Sequence, residues 1–143
     1  MLDKKWIPSL EQGLPFWDKL TQEEKEEIQS RGEVLDFEKG MMIHRSDEKC
    51  MGVMLLLQGQ IRAYILSEDG REVTLYRLFA GDLCVLSASC VLDAVAFDVQ
   101  IEAVEDSRVI LIPVSYYKTL MDKNVQVELY TYKISTERFS DVM

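Results

Sequence analysis

The chain has 143 residues, 48% of them hydrophobic, enough for one compact core and no reason to posit two folded units. Its 16 basic and 25 acidic residues leave a net charge of -9, which argues against these residues gripping a nucleic-acid backbone, because phosphate contacts need clustered Lys and Arg. There is no apolar run of about 18 residues, and the opening MLDKKWIPSLEQG lacks a continuous apolar segment, so a soluble, cytoplasmic chain without membrane contact is expected.

Thr21 can cap a helix, with Glu24 three residues on completing a capping box; the helix is expected to run to about Ser30 and to break at Gly32. Its acidic run, Glu23, Glu24, Glu26 and Glu27, reads as a solvated face. Val34, Leu35 and Phe37 begin a strand that ends at the Lys39-Gly40 turn, Met41 to Arg45 form a second short strand, and Ser46 to Lys49 a polar loop. Three apolar or alternating runs follow: Val53 to Leu57, Ile61 to Leu66 and Val73 to Phe79. Gln58-Gly59-Gln60 separates the first two and Ser67-Glu68-Asp69-Gly70 the others, so two successive hairpins are expected, with one face buried and one wet.

Beyond Cys90, strands are expected at Asp98 to Ala103 and Val109 to Ile112, about seven or eight in all. Pro113 then suits a first helical turn, with Tyr116, Leu120 and Met121 at helical spacing and Asn124 at the end. After it, Val125, Leu129, Tyr132, Thr136, Phe139 and Met143 follow the spacing of a heptad seam on a long helix. Val127, Tyr130, Ile134 and Val142 form a second stripe. One stripe can cover the sheet while the other meets a partner helix, which points to a homodimer; a helix packed only on its own domain needs just one.

In order and spacing these segments resemble the effector domain of the Crp/Fnr transcription regulators over nearly the whole chain. The resemblance rests on the LTQEEKEEI helix, the FEKG turn, the block MLLLQGQIRAYILSEDGREVTLYRLFAGD, and VEDSRVILIPVSYYKTLM leading into the long helix, with Gly59 and Gly81-Asp82 at the family's glycine-anchored turns. It implies a mainly β fold with flanking helices: a double-stranded β-helix, or jelly-roll and cupin-like β-roll, over residues 1–123, and the start of a dimerisation helix over 124–143. It further implies a small-molecule effector and DNA contact only through a helix-turn-helix domain missing from this chain. The closing Arg138 to Met143 lies on the seam without a Gly or Pro stop, so the helix is expected to continue. The alternative is a stand-alone dimeric interaction module with no DNA-binding half.

In cyclic-nucleotide-binding relatives a Gly-Glu pair holds the ribose and an Arg-Ser or Arg-Thr pair neutralises the cyclic phosphate, since a buried phosphate needs a fixed cation and nearby donors. The corresponding positions here read Val85-Leu86 and Phe97-Asp98, so cyclic AMP and cyclic GMP are not expected to bind in the usual way. The candidate effector pocket comprises Gly81, Asp82, Val85, Leu86, Ser87, Ser89, Phe97 and Asp98, with Tyr132 reaching in from the long helix; Leu129, Tyr132, Thr136 and Phe139 are the candidate dimer contacts.

An iron-sulfur cluster needs four thiolates, and the first 49 residues hold no cysteine; haem finds only His44 as a histidine ligand. Neither cofactor is expected. The three cysteines, Cys50, Cys84 and Cys90, fit reduced thiols better than a disulfide framework. Cys84 and Cys90 flank VLSAS and read either as small buried apolar residues or as a redox pair. A single histidine supplies neither the metal set of a cupin enzyme nor the base of a hydrolytic triad, so no catalytic or metal-binding residue is assigned.

Overall fold

In the computed structural model, residues 2–44, 51–84 and 100–140 are described. Helix α1 (Ile7–Gly13) and a single turn at Trp17–Lys19 precede helix α2 (Gln22–Arg31). The capping box forms as the sequence predicts. Thr21 Oγ1 accepts from the Glu24 N–H at 3.1 Å and Glu24 Oε1 accepts from the Thr21 N–H at 2.9 Å, which satisfies two of the donors a helix start leaves open. The helix stops one residue later than expected, at Arg31.

Among the described residues eight strands follow: β1 (Glu33–Phe37), β2 (Met42–His44), β3 (Gly52–Gln58), β4 (Gln60–Leu66), β5 (Glu72–Phe79), β6 (Leu83–Cys84), β7 (Gln100–Ala103) and β8 (Ser107–Pro113). They build two antiparallel four-stranded sheets, ordered β1-β8-β3-β6 and β2-β7-β4-β5. Helices α3 (Val114–Lys123) and α4 (Val125–Ser140) complete the described chain. The architecture is the expected one, a jelly-roll β fold with flanking helices and helices at the carboxyl end.

Three local expectations need correction. β3 and β4 are not a hairpin, since β3 pairs with β6 and β8 while β4 pairs with β5 and β7. Gly59 (φ +92°) carries the chain round a corner from one sheet to the other, where the buried Ser107 hydroxyl accepts from the Gln60 N–H at 3.2 Å. The second hairpin, β4 to β5, does form, closed by Ser67 and Gly70. Nor is one face wet throughout: β3 sends Val53 and Leu55 to a core shared with the helices and Met54 and Leu56 to a core between the sheets. Strand β8 divides the same way, with Ile110 and Ile112 on the helix side and Val109 and Leu111 between the sheets, which is why both read as near-continuous apolar runs. Finally, Pro113 closes β8 opposite Gly52 and stands before helix α3 rather than in its first turn.

The Gly59 corner yields a comparison with Gly70, which has similar φ (+83°) but open space around it; a Cβ on Gly59 would lie 2.4 Å from Ser107 Oγ and 2.5 Å from the Asp106 carbonyl. Gly70→Ala should cost about 1–2 kcal/mol for the left-handed backbone alone. Gly59→Ala should cost at least roughly 2 kcal/mol more, read as a lower urea midpoint at constant slope.

Candidate functional site

The turn from Phe79 to Asp82 delivers the chain to the candidate pocket. Gly81 (φ +96°) donates its N–H to the Leu56 carbonyl at 2.8 Å, the Asp82 carboxylate accepts from the Phe79 N–H at 2.9 Å, and the Asp82 carbonyl accepts from the Leu56 N–H at 3.0 Å. Gly81 and Asp82 therefore pin this turn to β3. The next two residues pair as β6 with Leu55 and Met54, which seats Cys84 in the core between the sheets, 1% exposed. It shares that core with Ala63, Leu75, Tyr76, Leu78 and Ile101. Val85, Leu86, Ser87, Ser89, Cys90, Phe97 and Asp98 lie outside the described residues, as do Cys50 and the side chain of His44.

Among the described residues no lysine or arginine is buried. Arg62, between the inward-facing Ile61 and Ala63, takes the opposite face by strand alternation and stands on the outer surface of the second sheet. There Glu72 and Glu102 hold its guanidinium, the latter at 2.6 Å, Thr74 Oγ1 accepts at 3.2 Å, and the Tyr64 ring lies 4.2 Å beneath it. Burial alone would lower the guanidinium's pKa, but the hydrogen bonds and charges of the two carboxylates raise it, so Arg62 stays cationic. This cluster was not singled out from the sequence; the alternation in QIRAYIL is the signal that assigns its face.

The other surface is α4. Val127 and Thr131 are buried, and Tyr130, Tyr132 and Ile134 pack half-buried against the helix-side core. Val127, Tyr130 and Ile134 of the second stripe thus cover the chain's own domain, joined by Tyr132 of the first, while Val125 and Leu129 of the first stay exposed, at 72% and 58%. Tyr132 adjoins the helix-side core and Cys84 the inter-sheet core, so these two candidates belong to different clusters. Thr136 and Phe139 lie on α4, with side chains outside the described set. Thr131 went unnoticed as a lone polar residue in an apolar stripe: it hydrogen-bonds the Tyr117 hydroxyl and donates to the Val127 carbonyl at 2.7 Å, tying α4 to α3.

An open groove of about 540 Å³ runs between α2 and α3, and none of the residues that line it belongs to the pocket predicted from the sequence. Arg31 on its wall is already engaged by Glu27 at 2.9 Å and lies over Tyr116. No described helix is long and apolar enough to cross a membrane, and among the described residues no three His, Cys, Asp or Glu converge as a metal set.

The model of the cyclic nucleotide-binding domain family matches residues 34–124. A solved structure from Eubacterium rectale, assigned to the crp/fnr family of transcriptional regulators, is 42% identical with a TM-score of 0.86, covering 91% of this chain and 60% of that one. The chain thus spans about 60% of that relative's length. The sensor domain of the transcriptional regulator DNR from Pseudomonas aeruginosa aligns at 18% identity and a TM-score of 0.75 over 96% of this chain and 92% of its own. The regulatory subunit of a cAMP-independent protein kinase A from Trypanosoma brucei aligns at 19% and 0.73 over 91% and 47%. At such identities these last two share the fold. No curated protein matches the chain.

The Tyr117–Thr131 contact should respond asymmetrically to mutation. Tyr117→Phe leaves Thr131 bonded to Val127 and should cost about 1 kcal/mol, while Thr131→Val strands a buried phenol and should cost about 1–3 kcal/mol by denaturant unfolding. Burial raises the pKa of Tyr117, and burial followed by the charges of Glu27 and Glu24 pushes that of Tyr116 up to about 12. Both folded-state values exceed the unfolded value of 10, so this stability is complete below pH 10 and lost as pH rises; for Tyr116 the loss spans pH 10 to 12. Tyr116→Phe should flatten that part of the urea-midpoint profile.

Proposed function

Because the chain belongs to the cyclic nucleotide-binding domain family, we propose that it is the sensor part of a cytoplasmic Crp/Fnr-type DNA-binding transcription regulator whose effector is not a cyclic nucleotide. One observation carries the ligand argument. The described residues bury no lysine or arginine, and residues 85–99, VLSASCVLDAVAFDV, contain none in sequence while adding Asp93 and Asp98. A cyclic phosphate taken into such a lining meets apolar walls and carboxylates, with no guanidinium to offset its desolvation.

The effector is instead a small molecule of largely apolar character, held by the segment from Gly81 and Asp82 through Val85, Leu86, Ser87, Ser89, Phe97 and Asp98, with serine hydroxyls meeting its polar end. A redox version places the signal at Cys84 and Cys90; the burial of Cys84 among Met54, Leu78 and Ile101 favours the ligand version, because a thiol in apolar surroundings resists becoming the reactive thiolate. Residues 1–123 form the sensor and 124–143 begin the output helix, on which Val125, Leu129, Tyr132, Thr136 and Phe139 meet a second copy. The exposure of Val125 and Leu129 supports that contact. Effector binding shifts how the paired helices sit, and DNA contact falls to a helix-turn-helix domain outside these residues. The role is regulatory, without a catalytic step.

Titration calorimetry with cyclic AMP and cyclic GMP should give no saturable heat, and neither nucleotide in excess should raise the melting temperature; tight binding of either defeats this reading. Leu129→Glu should convert a dimer to a monomer in sedimentation and remove the dependence of the melting temperature on protein concentration, while the exposed position contributes little to the monomer fold itself.

A further inference from the structure

Helices α3 and α4 meet at Asn124, whose extended backbone (φ -126°, ψ 105°) interrupts the helical path. Its side chain is used at both ends. Oδ1 accepts from the Gln126 N–H at 3.0 Å, the hydrogen bond of a helix cap. Nδ2 points the other way, donating to Glu24 Oε1 at 3.0 Å and to the Lys19 carbonyl at 3.2 Å, 100 and 105 positions away in sequence. This orientation of the amide is the one that satisfies all three contacts, since a carboxylate and a carbonyl can only accept. Glu24 is itself fixed, because the same oxygen closes the capping box at the start of α2.

We propose that Asn124 is the positioning residue of the output helix: its carboxamide latches the first turn of α4 onto the amino-terminal helices through Glu24 and Lys19, and so sets the direction in which α4 leaves the domain. The chemistry suits a releasable latch. One acceptor is a charged carboxylate, which strengthens the bond, while the site is only half-buried, so water can replace it when α4 moves. Apolar packing at Val127 holds the next turn to the domain whichever way the latch stands. The inference rests on α4 being the output element of the proposed sensor. Hydrogen exchange reads the latch whether or not α4 dimerises, so the two ideas can fail separately.

Exchange measured on the full 143-residue chain separates latching from capping by sign. Asn124→Asp keeps, and through its charge strengthens, the cap on α4, but removes the donor and sets a second carboxylate against Glu24. As a latch, Asn124 predicts that amides in residues 126–132 exchange about tenfold faster in Asn124→Asp, the equivalent of one charge-assisted hydrogen bond, with β3 and β8 unchanged. Glu24→Gln alone should do little, because its amide oxygen still accepts; added to Asn124→Asp, it should recover part of the protection by donating in the reverse direction. Unchanged or slower exchange in Asn124→Asp overturns the proposal, as does the absence of recovery in the double variant. If Asn124→Asp loses protection throughout β3 and β8, Asn124→Ser serves instead, since its hydroxyl can cap without reaching Glu24, and the same acceleration at 126–132 is required.

Discussion

The pairing of β3 with β8 is the constraint on which the rest of the molecule depends. Both strands are buried on both faces, so their alternation assigns Val53, Leu55, Ile110 and Ile112 to the helices and Met54, Leu56, Val109 and Leu111 to the second sheet. A slip of one residue would exchange the two sets and mismatch both cores together. Glycines at either end prevent it. Gly52 lies so close to β8 that a Cβ there would sit 2.0 Å from the Ile112 carbonyl, and Gly59 crowds Ser107 at the other end. Backbone contact of that closeness is available only to a residue without a side chain.

This arrangement separates two cores by the thickness of one sheet. Cys84, which directly precedes the candidate effector segment in sequence, belongs to the inter-sheet core, whereas Val127, Thr131 and Tyr117 belong to the helix-side core that steadies α4. A signal arising between the sheets has a covalent route to the other side, because β8 runs directly into α3, and the Val114 N–H is held by the Met51 carbonyl just before β3 begins. α4 also approaches β5, which lines the inter-sheet core, and gives a second route by contact.

Much of the fold was legible because several local signals agreed with the global one. The Thr21 and Glu24 box, the Asp-Gly turn and the alternation of QIRAYIL each specify one local structure. Gly59 was misread because a positive φ serves a hairpin and a sheet-to-sheet corner equally well; the partner that decides between them, Ser107, is 48 positions away. Helix α1 escaped notice because IPSLEQG buries only Leu10, and β6 because two residues carry no period. At the candidate site, the motif alignment brought Gly81 and Asp82 to attention as ligand contacts, and the structure gives them hydrogen bonds within the turn. Asn124 read as a helix stop, which it is, but the distant partners of its amide leave no trace in local sequence.

A shared fold does not choose the ligand, which is set by the side chains of the site grafted on it. In this chain the guanidinium of Arg62 is turned away from the inter-sheet core, where Glu72, Glu102 and Tyr64 engage it on the other face of the sheet. Recruiting it as a phosphate anchor would require β4 to shift register by one residue, exposing Ile61 and Ala63 and burying the two carboxylates' partner without them. That exchange costs more than a single ligand contact returns, because each fully buried aliphatic side chain is worth about 1.5–3 kcal/mol and an unpaired buried charge costs more still. The outward placement of Arg62 is therefore locked by the packing that makes the roll.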